Sequence, residues 1–156
     1  MSQKILIAFD DSENAMRAVQ YVAGTFNKDC SISLFCVVPD TAALCDMNSP
    51  ELTPYFKSQQ HAFCTLEDQK KSLVDDAFQK ARQCLLDAGF SEDNISFSAQ
   101  KKNKGIARDI VNTAGSDYDL IVIGRRGITG IKDYFLGSIS QKVLHLATDV
   151  SILIVN

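Results

Sequence analysis

The chain has 156 residues, is 46% hydrophobic and 22% charged, and carries a formal net charge of −3. A length of this kind suits one core that buries about 70% of the unfolded surface, so residues 1–156 are read as one domain. The acidic balance and the lack of a DNA-binding motif exclude a nucleic-acid partner, which selects a basic surface.

In chain order, Lys4 to Phe9 is a short β-prone apolar run, followed at once by Asp10, Asp11 and Ser12, whose side chains can cap a helix. The run is too short for a signal peptide or a membrane span, so the reading is a cytoplasmic protein with no membrane partner. Ala15, Met16, Val19, Val22, Ala23 and Phe26 then recur at helical spacing over about Glu13 to Asn27. Ser31 to Val38 is the second strand, closed by Pro39. Asp40 to Pro54 shows no period and is read as a surface excursion, and no role for residues 40–56 is legible. A long helix from about Lys57 to Ala88 carries its stripe on Phe63, Leu66, Leu73, Val74, Ala77, Ala81, Leu85 and Ala88, with Lys70 interrupting it and Gly89 stopping it.

Ile95 to Ala99 is the third strand, Ile106 to Ala114 the third helix, and Leu120 to Ile123 the fourth strand. A glycine loop, a fourth helix from Ile139 to Ala147 and a terminal strand from Ile152 to Val155 complete the pattern. Strands alternating with helices predict an open five-stranded parallel sheet, Rossmann-like, with helices on both faces. The five cysteines, Cys30, Cys36, Cys45, Cys64 and Cys84, are odd in number and form no C-x-x-C pair. That usage predicts reduced thiols rather than a disulfide framework or a zinc site.

The stretch Gly124 to Ser138, GRRGITGIKDYFLGS, joins a buried strand to a helix. Gly124, Gly127 and Gly137 permit sharp turns or close approach to a ligand, and Ser138 stands as the cap of the following helix. A helix start offers unpaired N–H groups and the positive end of the dipole, so this stretch reads as a phosphate cradle. In parallel sheets the ligand lies beyond the strand ends where strand order reverses. That rule gathers Ala8 to Asp10, Val37, and Ile123 to Gly127 around one crevice. Asp10 serves there either as a helix cap or as a ligand-facing carboxylate, and Arg125 and Arg126 either meet phosphates or are solvated.

The spacing Gly124-x2-Gly127-x9-Gly137-Ser138 resembles the ATP-binding pattern of the universal stress protein family. The segments ILIAFDDSENA, YDLIVIGRRG and GSISQKVLHLATDVSILIV resemble that family's start, its fourth strand with the loop, and its ending. The resemblance implies the adenine nucleotide alpha hydrolase-like variety of the Rossmann-like fold. By position, it implies nucleotide contacts at Ala8, Phe9, Asp10, Val37, Ile123, Gly124, Arg126, Gly127, Gly137, Ser138, Ile139 and Ser140. Asp10 would lie near the ribose, Val37 would meet adenine through its backbone, and the last glycine and serines would hold phosphate. The implied ligand is ATP or AMP, with Mg or Mn bound through the phosphates and no metal held by protein side chains. The resemblance also implies a homodimer through the C-terminal strand. Asp11 stands where many members have glycine, and Val150 where many have proline.

Binding ATP does not entail turning it over. The chain has no G-x-x-x-x-G-K-[ST] lysine, no kinase H-R-D or D-F-G, and no H-I-G-H or S-G-G-x-D-S turn. His61 and Cys64, three residues apart, lack a further soft ligand nearby in sequence, and His145 has no evident acid or nucleophile partner. The expectation is therefore a nucleotide-binding regulatory or stress-response protein with at most slow hydrolysis. The competing expectation is a dimeric interaction scaffold of the same fold with no bound nucleotide.

Overall fold

The structure is a computed structural model that describes residues 2–46, 53–125 and 136–156. Five parallel strands, β1 (Lys4–Ala8), β2 (Ser31–Val38), β3 (Ile95–Lys101), β4 (Leu120–Gly124) and β5 (Ser151–Val155), lie in the order β3-β2-β1-β4-β5. The first strand is central because its residues Ile5, Leu6 and Ile7 are apolar in succession, and both of its faces are covered. Ile5 and Ile7 pack with helix α1 (Glu13–Thr25) and the C-terminal half of α3 (Pro54–Asp87). Leu6 packs on the other face, with α4 (Ile106–Ala114) and α5 (Ser138–Leu146). The chain leaves β1 toward β2 on one side and returns to β4 on the other, so strand order reverses between β1 and β4.

Local chemistry fixes most helix ends. The Ser12 hydroxyl accepts the Ala15 N–H at 3.2 Å, making Ser12 the N-cap of α1, while Asp10 Oδ1 accepts the Ser12 N–H at 2.8 Å. Asp10 is thus not the helix cap; it shapes the turn that delivers the cap. At the end of α3, Gly89 adopts φ 102°, and the N–H groups of Gly89 and Phe90 reach the carbonyls of Leu86 and Leu85. This paired closure satisfies two carbonyls and buries Phe90. Before α4, the buried Asp109 carboxylate accepts the N–H groups of Asn103 at 2.8 Å and Lys104 at 3.0 Å. Those bonds hold its pKa below the usual carboxylate range, so it is ionised where it ties the loop down.

Two sequence expectations are corrected. The first concerns the cysteines: Cys45 and Cys64 form a disulfide across 19 positions, while Cys30, Cys36 and Cys84 are free. An odd count leaves one cysteine over but does not forbid a pair, and the partner of Cys64 comes from the excursion, where Ala42–Cys45 forms the short helix α2. The chain therefore has five α-helices among its described residues, not four. Residues 47–52 of the excursion lie outside the described residues.

The second correction concerns α3. Its 34 residues span about 51 Å at roughly 1.5 Å per residue, whereas the eight residues of β2 span only about 26 Å. The helix consequently outruns the sheet. Its buried residues are Val74, Ala81 and Leu85, and the Phe78 ring stacks on Phe97 of β3 at 4.2 Å. Upstream of Val74 the stripe continues without a sheet beneath it, so Phe63, Leu66 and Leu73 are exposed rather than core. This overhanging half of α3, residues 54–73, is held to the incoming chain by the Cys45–Cys64 bond and by a hydrogen bond from Gln60 Nε2 to the Leu44 carbonyl.

Candidate functional site

A cleft of about 590 Å³ opens beyond the C-terminal ends of β1, β2 and β4, where strand order reverses. Pockets for small ligands commonly have this size and placement in doubly wound sheets. Of the residues picked from the sequence, Ala8, Phe9, Asp10, Val37, Ile123, Gly124, Gly137, Ile139 and Ser140 line it. Ser138 is exposed and does not, and Arg126 and Gly127 lie outside the described residues. Arg125 points elsewhere: its backbone N–H meets the Val155 carbonyl, and its guanidinium donates to Asn156 Oδ1 at 3.4 Å.

Each wall has a local origin. The Phe9 N–H bonds to the Phe35 carbonyl at 2.8 Å, which prolongs the β1–β2 ladder by one residue and buries the ring. Gly124 passes so close to the first turn of α1 that a Cβ there would sit 2.2 Å from the Asn14 carbonyl oxygen. At α5 the cap is Gly137, not Ser138, and among the described residues no side chain caps this end. The Gln141 N–H reaches the Gly137 carbonyl, so the N–H groups of Ser138, Ile139 and Ser140 have no partner within the helix. An uncapped helix start beside a cleft attracts an anion through its free donors and dipole.

Sequence reasoning missed the α3 side of the cleft. Glu67, Lys70, Lys71, Val74 and Asp75 line it, and Lys70, read only as an interruption of the stripe, faces the ligand space. Its charge placed where the repeat wants a hydrophobe was the available signal. Cys36 also lines the cleft, and burial, then the carboxylates of Asp10 and Asp11, push its thiol up to about 11 despite the opposing charge of Lys70. The thiol is therefore protonated and is no nucleophile at neutral pH. Cys64 is committed to its disulfide, so it does not pair with His61 around a metal.

The universal stress protein family model matches residues 1–156. The universal stress protein Sll1388 of Synechocystis is 30% identical over 146 residues, covering 91% of this chain and 90% of that protein. Among solved structures, the universal stress protein UspA from Lactobacillus plantarum superposes with a TM-score of 0.69 at 20% identity, covering 99% of this chain and 97% of that one. A universal stress protein solved in complex with cAMP superposes with a TM-score of 0.58 at 18% identity, covering 99% of this chain and 96% of that one. With the whole chain matched and the doubly wound sheet in common, this protein belongs to the universal stress protein family.

Proposed function

We propose that the cleft binds an adenine nucleotide, ATP or AMP, and that the protein acts as a nucleotide-binding regulatory module of the stress response. The observation that carries this reading is the uncapped N-terminus of α5 opening into a cleft at the strand-order reversal. Phosphate would be held by the N–H groups of the first helical turn after Gly137, the Val37 backbone would meet the base, and Asp10 would lie toward the ribose. A Mg or Mn ion would enter on the phosphates. The family relative in complex with cAMP supports an adenine nucleotide as the class of ligand. With no P-loop lysine in the sequence, hydrolysis is expected to be slow.

The test is direct. Protein purified without added nucleotide, then denatured, is expected to release a species absorbing at 260 nm that mass spectrometry identifies as an adenine nucleotide. A nucleotide-free protein that also fails to bind added ATP in calorimetry would favour the scaffold reading.

The same reading includes a homodimer through β5. This strand is an edge of the sheet, and Ile152, Leu153 and Ile154 are only half-buried there, an apolar edge that invites pairing. Light scattering at roughly tens of micromolar, where a modest interface is populated, is expected to give the mass of two chains. A monomer at that concentration would remove this part of the proposal.

A further inference from the structure

The overhanging half of α3 forms one wall of the cleft, yet it has little packing of its own. Glu67, Lys70 and Lys71 line the cleft from positions where no α3 residue is buried. Lys70 and Lys71 are the only cations among the described lining residues. A covalent bond, beside the hydrogen bond from Gln60 to the Leu44 carbonyl, holds this wall. Val38 and Pro39 line the cleft at the end of β2, the chain runs from there to Cys45, and Cys45 is bonded to Cys64, one turn before Glu67. The disulfide thus ties the chain that leaves β2, through α2, to the part of α3 that precedes Glu67. Cys45 and Cys64 are both partly exposed, so a small thiol can reach them.

We propose that the Cys45–Cys64 disulfide is a reversible redox latch that fixes the α3 wall of the cleft and so couples the thiol state of the protein to its ligand affinity. Closing the latch removes two protons and two electrons from the cysteine pair as the S–S bond forms. A low-molecular-weight disulfide such as glutathione disulfide takes them up and leaves as two thiols, through a mixed disulfide. In the oxidised protein the wall is ordered before the ligand arrives. In the reduced protein the ligand must bear the cost of ordering two or three long side chains, which weakens binding by about tenfold. The affinity arm of this inference rests on the nucleotide reading above, whereas the mobility arm does not.

The experiment compares oxidised protein, protein reduced with dithiothreitol, and the Cys45→Ser variant. Hydrogen exchange is followed over residues 54–73, and ATP affinity is measured by calorimetry. Reduction is expected to speed exchange in the overhang by about tenfold or more, to leave the segment from Val74 onward unchanged, and to weaken ATP binding by about tenfold. Glutathione disulfide should reverse both effects, and Cys45→Ser should match the reduced protein and ignore reductant. Exchange that responds in a protein binding no ATP in either state upholds the latch and sinks the nucleotide reading. Equal exchange in the oxidised and reduced protein, or a Cys45→Ser variant that still responds to dithiothreitol, overturns the latch.

Discussion

Replacing Gly124 by alanine is expected to lower the melting temperature by about 6–12 °C. The new Cβ would stand 2.2 Å from the Asn14 carbonyl oxygen, 2.6 Å from its carbonyl carbon and 2.9 Å from its Cβ. Two of those atoms are backbone in the first turn of α1, so no side-chain rotation relieves the contact. Overpacking of this kind costs about 3 kcal/mol or more, and a chain of about 150 residues loses roughly 2–4 °C per kcal/mol. Gly24→Ala is the matched control. Nothing lies within 4 Å of a Cβ at that exposed helical position, so the substitution should raise stability by up to about 1 kcal/mol. Thermal denaturation followed by circular dichroism compares the two. A Gly124→Ala protein melting with the wild type would mean that α1 and β4 are further apart than the structure places them.

Gly137→Val should behave in the opposite way, sparing the fold and removing nucleotide binding. Gly137 has φ −58° and ψ 152°, a conformation open to any residue, so no left-handed strain demands glycine there. As the N-cap of α5, valine costs about 1 kcal/mol relative to a favourable cap. What valine cannot do is leave room. Its branched methyl groups would crowd the approach to the N–H groups of the first helical turn. Losing two hydrogen bonds to a charged oxygen, at roughly 1.5–3 kcal/mol each, weakens ATP binding by about a hundredfold or more. Ser138→Ala should stay within about twofold, because the Ser138 side chain is exposed and outside the cleft. Titration calorimetry with both variants, alongside circular dichroism to confirm folding, decides the matter. A folded Gly137→Val that binds ATP as the parent does would make this stretch a turn and nothing more.

The parallel sheet was legible because β1, β4 and β5 are continuous apolar runs, while β3 alternates apolar and polar residues. The bounds Ser31 to Val38, closed by Pro39, and Ile106 to Ala114, ended by Gly115, agree with the structure to the residue. Most of the cleft followed from the rule of reversing strand order, which needs only the ends of β1, β2 and β4. Caps were less legible, since Asp10, Asp11 and Ser12 all have capping chemistry and the choice among them depends on which N–H each can reach. The α3 wall left only one trace in the sequence, the charge of Lys70 within the apolar stripe. Helical periodicity reports which face is apolar, not where the sheet beneath it stops, so Phe63, Leu66 and Leu73 were read as core alongside Leu85. The disulfide escaped for a similar reason, as parity counts thiols without saying which two the fold brings together.

The disulfide also changes what a cut in the backbone can do. Cys45 and Cys64 are joined twice, once through the intervening residues and once through sulfur, which makes this segment a covalent loop with two strands of connection. A protease that severs one peptide bond between them opens the loop without dividing the molecule. The nicked protein gains one water and keeps its two parts bonded through sulfur, and a reductant is needed to turn the cut into two separate chains. Cleavage here is therefore silent until the thiol environment changes, and scission followed by reduction, not either event alone, leaves Cys45 and Cys64 on separate chains.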